Sequence, residues 1–368
     1  MKILLVISEA PPVKSGISRL AEWLIKGLPR YGHQVHTLSY QDIGCLQRHE
    51  LRLTTMLLHI PRLRRRIADY DMVHLHGPAP TFSDVFLLGC GWGRGERPRL
   101  IYTHHYPIAL PGLGLPCRLC NWLTMKWANL ADHVTATTPS YARIISRHVP
   151  PRRVSVVPSG VDYDRFAGPW QKADTYTILF VGQMRATKGL QVLLRAFQGI
   201  EGARLDIVGT SQAEPKYRKL ARDLRLRNVT FHGQVSDERL AALYGRAHVL
   251  VLPAITPGEA FGVVQLEAMA AGCVSVASHL PGVVDVAGDV GFTFPPGDVK
   301  ALRRLLIYLR DHPEVRAEHA RRGPDWARRF TWDHTVRLYE GLYRHVLSPT
   351  SHFRSPRPFT FPNVEEGT

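Results

Sequence analysis

At 368 residues the chain is too long for one ordinary core and suits two domains. A hydrophobic fraction of 45% and a charged fraction of 21% exclude a disordered chain, and no apolar run approaches the ~18 residues of a membrane-spanning helix. The excess of 47 Lys and Arg over 31 Asp and Glu points to an anionic partner (nucleic acid, an anionic membrane surface or a phosphate-bearing small substrate) unless it is merely a surface rich in solvated arginine.

In chain order, MKILLVIS opens as a first strand rather than a signal peptide, because its apolar run is short and enters a turn directly. Strand-like runs follow at 34–39, 72–76, 100–104, 133–137 and 154–158, with helix-like runs such as 18–30 between them. After a polar, Gly- and Pro-bearing break at 163–175 the rhythm repeats, with strands at 177–182, 204–209, 229–233, 248–253, 273–278 and 291–295. Runs that are apolar throughout, rather than alternating, imply strands buried on both faces, and their alternation with helices implies parallel sheets. The reading is α/β: two Rossmann-like doubly wound parallel-sheet domains, 1–165 and 166–329, a closing helix over 330–347, and a Pro/Ser-rich disordered tail over 348–368. Cys117 and Cys120 form a lone CxxC, and five scattered cysteines fit a reduced cytoplasmic chain better than a disulfide framework or a zinc site.

Open parallel sheets bind ligands beyond the carboxyl ends of their strands, so the turns there carry the candidates. Gly16 lies where the first strand hands over to a helix and leaves room for a ligand against the backbone; a plain turn glycine is the alternative. In LFVGQMRATKGL, Gly182 ends a strand, and Arg185 and Lys188 follow beside a helix N-terminus, which suits phosphates unless both are solvated surface cations. In PGEAFGVVQLEAMAAG, Glu259 precedes a helix beginning near Phe261 and Gly262, and Glu267 lies in its second turn. A long ligand could place an anionic centre on the free N–H groups between them and hydroxyls on each acid, with Gly262 leaving room for its approach. The alternative is one acid serving the helix N-terminus and the other a solvated face. His104 and His105 close a strand and point to opposite faces, so one can face a cleft while the other packs. His74 and His76 share a strand face, without a third ligand at metal-binding spacing.

These motifs resemble the retaining glycosyltransferases of the GT-B fold, specifically the family 4 (group 1) type, from Met1 to about Val346, which implies two Rossmann-like domains facing a cleft and a closing helix that crosses back onto the first. The Glu-x7-Glu stretch is the most specific match. Gly182, Arg185 and Lys188 look like the family's phosphate loop, SGVD at 159–162 resembles its NGVD segment with Ser159 for Asn, and PGVVDV at 281–286 resembles its GGxxE turn with Pro281 and Asp285 as departures. The resemblance implies His105, Arg185, Lys188 and Glu259 as catalytic and Gly16, Gly182, Phe261, Gly262, Val263 and Glu267 as donor-binding. It implies a hexose moved with retention from a nucleoside diphosphate sugar, with no metal and no cofactor beyond that donor. Arg185 and Lys188 would neutralise the diphosphate, Glu259 would hold sugar hydroxyls, Glu267 the ribose, and His105 the sugar near the reacting carbon. The donor base falls to backbone contacts near 231–238.

The acceptor half carries RLRRRIADY at 62–70, the basic end of an amphipathic surface helix that Pro61 would kink or restart. An apolar stretch with two tryptophans follows at 106–127, read as packed loop and helix or as an acceptor- or lipid-facing loop. Together they motivate a lipid-linked or envelope glycan acceptor and a cytoplasmic protein peripheral on the inner face of a membrane. A nucleotide-sugar epimerase and a non-catalytic binding protein of the same fold are the competing readings. No nucleic-acid signature is present.

Overall fold

The chain is described by a computed structural model, which covers residues 1–10, 16–48, 51–90, 97–108 and 113–348. The tail expected at 348–368 (Ser348 apart), residues 11–15 of the first turn and residues 109–112 of the apolar stretch lie outside the described residues.

Apolar runs become strands where Ile, Leu, Val and Phe dominate and both faces are covered. In the first unit, which spans Met1–Gly160 and resumes at Trp332, the strands are β1 (Lys2–Val6), β2 (Gln34–Leu38), an antiparallel pair β3 (Cys45–Arg48) and β4 (Leu51–Thr54), then β5 (Met72–Gly77), β6 (Arg99–His104), β7 (His133–Ala136) and β8 (Val154–Val156). The helices are α1 (Gly16–Gly27), α2 (Met56–Ile67), α3 (Ser83–Cys90), α4 (Gly114–Trp127) and α5 (Pro139–Ile145). A parallel six-stranded sheet runs in the order β2-β1-β5-β6-β7-β8. The hairpin β3–β4 was not legible as strands, since its apolar residues Leu46 and Leu53 pair across the strands yet stay 69% and 48% exposed. The helix α2 runs on through Pro61 without restarting. Its buried residues Met56, Ile60, Leu63 and Ile67 hold it in place on one face.

The second unit, Val161–Thr331, contains α6 (Tyr163–Phe166), β9 (Tyr176–Val181), α7 (Leu190–Phe197), β10 (Ala203–Val208), α8 (Glu214–Asp223), β11 (Val229–Gly233), α9 (Asp237–Arg246) and β12 (Val249–Leu252). It continues with α10 (Val263–Ala270), β13 (Val274–Ser278), α11 (Val283–Ala287), β14 (Phe292–Phe294), α12 (Val299–Asp311) and α13 (Pro313–Arg328). Its parallel sheet runs β11-β10-β9-β12-β13-β14. One core joins Ile178, Phe180, Ile207 and Val251 of the strands to Leu193, Leu302 and Leu306 of the helices. Burying each such side chain contributes about 1.5–3 kcal/mol before entropy is counted.

The last helix, α14 (Trp332–Leu347), packs in the first unit. Val336, Tyr339, Leu342 and Tyr343 recur three and four residues apart, so they share one helix face. That face meets Ile3 and Leu5 of β1 and Leu20 and Leu24 of α1. Glycine is needed at the contact: a Cβ on Gly27 would stand 2.8 Å from Val336 Cγ1.

In each sheet the strand order reverses once, between β1 and β5 in the first and between β9 and β12 in the second. At such a switch point adjacent loops leave in opposite directions and open a crevice. The loops after β9 and β12 are those that hold Arg185, Lys188 and Glu259.

Candidate active site

The loop after β9 is shaped by glycines. Gly182 has φ +152° and Gly189 has φ +71°, values that favour glycine. A Cβ on Gly189 would fall 1.7 Å from the Pro253 carbonyl oxygen. Only glycine therefore lets this loop lie directly on the loop after β12, where the Ile255 N–H donates to Thr187 O at 2.9 Å. Between the glycines, Arg185 leads into a short 3-10 turn, Ala186–Lys188. The consequence is chemical: Lys188 Nζ forms an ion pair with Glu259, with the side chains 32% and 14% exposed.

Glu259 stands just before α10, whose N-cap is Gly262 with no side-chain cap. With no side-chain cap, the start of this helix and its dipole suit an anion, beside a lysine and next to the strand switch point, although the Gln265 N–H already donates to Gly262 O at 2.9 Å. The structure corrects one expectation here. Gly262 does not leave open space on its Cβ side, because a Cβ would come 2.5 Å from Leu252 Cδ2 and 2.9 Å from Gln265 Nε2. Glycine is required instead by φ +75° and by close packing on the last residue of β12. Phe261 is buried, its ring against Phe330 and its carbonyl oxygen accepting from Gln265 Nε2 at 3.2 Å, whereas Val263 is partly exposed.

Glu267 is no solvated face residue. It is 5% exposed and accepts a 2.7 Å hydrogen bond from Tyr244 Oη on α9. Gln265 is fully buried, donating to Phe261 O and Val283 O at 3.2 Å each and accepting from Ser275 Oγ at 3.0 Å. It fastens the turn before α10 to its neighbours. Neither Tyr244 nor Gln265 stood out in the sequence; an apolar helical context hid both. Asp285, in the first turn of α11, is buried. In the segment 231–238, His232 Nε2 lies 2.9 Å from Asp206 Oδ1 and Ser236 caps α9 by accepting from Arg239 N at 3.2 Å.

In the first unit Gly16 is the first residue of α1, and among the described residues, its chain neighbours and own helix backbone apart, no atom lies within 4 Å of where a Cβ would be. His105 follows β6, and its backbone N–H extends the ladder to Gly77 O at 2.9 Å. His104 and His105 are both buried, at 4% and 7% exposure, so the expected split into one open and one packed ring is slight. Burial holds His105 down to about 4 and His104 to about 3, so both are neutral at neutral pH. His105 Nε2 lies 3.0 Å from His76 Nδ1. Among the described residues no group of three or more His, Cys, Asp or Glu side chains is arranged to hold a metal ion.

Residues 164–326 match the family described as glycosyl transferases group 1, and residues 14–165 match glycosyltransferase family 4. The chain is 35% identical over 309 residues to the phosphatidyl-myo-inositol mannosyltransferase of Mycobacterium leprae, covering 76% of each chain. It is a family 4 glycosyltransferase.

This glycosyltransferase is also 26% identical to the O-antigen chain mannosyltransferase C of Escherichia coli over 93% of its own length and 97% of that protein. Among solved structures, the sucrose-phosphate synthase of Thermosynechococcus elongatus superposes with a TM-score of 0.77 at 21% identity, covering 95% of this chain and 100% of that one. The Anabaena protein HepE, solved with UDP, superposes with a TM-score of 0.74 at 16% identity over 94% and 100% of the two chains. These likenesses place the glycosyltransferase in the GT-B fold.

Proposed function

We propose that this glycosyltransferase moves a hexose, with retention of anomeric configuration, from a nucleoside diphosphate sugar to a lipid-linked or cell-envelope glycan. The observation that carries the reading is the Lys188–Glu259 pair in front of the side-chain-uncapped start of α10. A diphosphate seated there would meet the α10 amides, Lys188 and Arg185, fixed positive charge set where negative charge develops as the glycosidic bond breaks. Glu259 would take sugar hydroxyls, and Glu267, oriented by Tyr244, the ribose. Gly182 and Val263 complete the donor contacts, and the family resemblance assigns Gly16 to the phosphates and His105 to the transferred sugar. No cofactor beyond the donor enters this scheme. The mannosyltransferases among its relatives support a hexose and an envelope acceptor.

A panel of UDP- and GDP-sugars read by thermal shift is expected to single out one donor. A ligand at a hundred times its Kd adds about 2.7 kcal/mol to native stability. NMR of the product should then show the donor's anomeric configuration preserved. An inverted product would overturn retention, and isomerisation of the donor without net transfer would favour an epimerase.

The same proposal has the enzyme act in the cytoplasm, peripherally on an anionic membrane. No described helix is long and apolar enough to cross a bilayer. In the first unit, however, Leu57 and Leu58 at the start of α2 are 70% and 79% exposed, and Arg62, Arg65 and Arg66 lie exposed further along the same helix. On α4, Leu115, Leu119 and Trp122 form an exposed stripe, with Lys126 stacked 5.7 Å over the Trp122 ring. Apolar wedges beside arginines suit a headgroup interface. In flotation assays the triple change Arg62→Gln, Arg65→Gln, Arg66→Gln should weaken binding to anionic vesicles by about 1 kcal/mol per residue, with little change for neutral ones. A wild-type protein without preference for anionic lipid would remove the membrane from the proposal.

A further inference from the structure

We propose that His76 is the positioning residue for His105, donating its Nδ1–H to His105 Nε2 and so holding His105 as the Nδ1–H tautomer. The inference deepens the function proposed above and rests on it only in taking His105 to touch the transferred sugar.

The two ring planes are 19° from parallel with centroids 5.2 Å apart, and the nitrogens stand 3.0 Å from each other, as in an edge-to-edge contact. Both histidines are buried and neutral, because burial holds each well below its usual value. Two neutral imidazoles in this contact share one proton, so one ring must donate and the other accept. The choice is decided at the far side of His76. Its Nε2 is buried and meets no donor or acceptor among the described residues. If His105 donated, the proton of His76 would be forced onto that nitrogen, leaving a buried N–H without an acceptor. Orphaned buried N–H groups are rarer in folded proteins than under-satisfied acceptors. With His76 donating from Nδ1, its Nε2 keeps only a lone pair, and His105 must carry its proton on Nδ1.

His76 is itself held from behind. The ring of His74 lies 4.1 Å from it between centroids. Both nitrogens of His74 are engaged, Nδ1 with Tyr343 Oη at 2.6 Å and Nε2 with Thr103 Oγ1 at 2.7 Å. Thr103 is further tied to Thr135 Oγ1 at 2.6 Å and Tyr339 Oη at 3.2 Å. His74 therefore cannot turn to bond His76, and the line from α14 through His74 and His76 fixes the plane of His105. The chemical consequence is that His105 offers an N–H donor, not a lone pair, to a substrate oxygen.

Long-range 1H–15N NMR of the full chain labelled at histidine, without substrate, reads the tautomer directly. Expected is Nδ1–H on His105 in the wild type, retained in His76→Asn, whose amide reaches the Nδ1 position, and lost or mixed in His76→Leu. In transfer assays His76→Leu should lower kcat about 10–100-fold and leave donor KM within about threefold, while His76→Asn recovers most of the rate. An Nε2–H tautomer on wild-type His105, or an unchanged kcat in His76→Leu, would overturn the proposal. The wild-type spectrum decides the matter even if the leucine variant does not fold. It needs no donor, so it also separates failure of this inference from failure of the transfer reading.

Discussion

Lys188→Met is expected to lower kcat about 10²–10³-fold, the usual loss when one preorganised donor to developing charge is removed. The same change should weaken binding of the free nucleoside diphosphate about 10-fold or more, as loss of a charge-assisted hydrogen bond does. Glu259→Gln should behave differently, because the two residues carry opposite charge although they are paired with each other. Removing the negative charge leaves Lys188 free to meet phosphate, so diphosphate binding should hold or tighten while kcat falls. The double variant should not be additive in either quantity, since each partner's state depends on the other. Calorimetry with the diphosphate and initial-rate kinetics with the full donor separate these effects. Glu259→Gln with untouched turnover would remove Glu259 from the site.

The first unit should lose stability steeply between pH 6.5 and 5. His74, His104, His105 and His133 are buried there, and burial holds them at about 3, 3, 4 and 4. Unfolded, each histidine takes up a proton below its usual value near 6.5, whereas folded it stays neutral until those lower values are reached. The unfolded state therefore binds more protons in that window, and stability, complete above pH 6.5, falls as pH falls. At pH 5 each group costs on the order of 2 kcal/mol, so the four together are comparable to the roughly 5–15 kcal/mol net stability of a domain. The hydroxyls of Tyr102, Tyr339 and Tyr343 that pack around them stay neutral, burial raising each. Asp84 works in the opposite sense. Burial raises its carboxyl to about 6, so it regains a little stability as pH falls below that value. Among the described residues of the second unit, burial holds the partly buried His248 at about 4. Hydrogen exchange followed by mass spectrometry at pH 7.5 and 5 should show protection lost first in β5, β6 and β7. Equal protection at both values would contradict the buried neutral state of these rings.

Both predictions draw on residues of very different visibility in the sequence. Arg185, Lys188 and Glu259 stood out because glycines and helix starts beside strand ends mark phosphate-binding turns. The central strands of both large sheets stood out because a doubly covered strand is apolar along its length, as in Ile178, Leu179 and Phe180 of β9. The hairpin of Leu46 and Leu53 did not, because these two side chains are exposed and so leave no burial pattern. Gly262 was visible as a glycine, but the reason for it was not: the contact with Leu252 is made across the nine intervening residues of loop.

The sequence by itself determined the alternation of strand and helix, the family, and the loops that bear charge, since apolar runs and turn residues act locally. The tertiary structure alone decided that Lys188 meets Glu259 across 71 residues, that Tyr244 holds Glu267 across 23, and that His76 holds His105 across 29. Such partners are chosen by strand order and by which loops it lays side by side. No local pattern of residues carries that information.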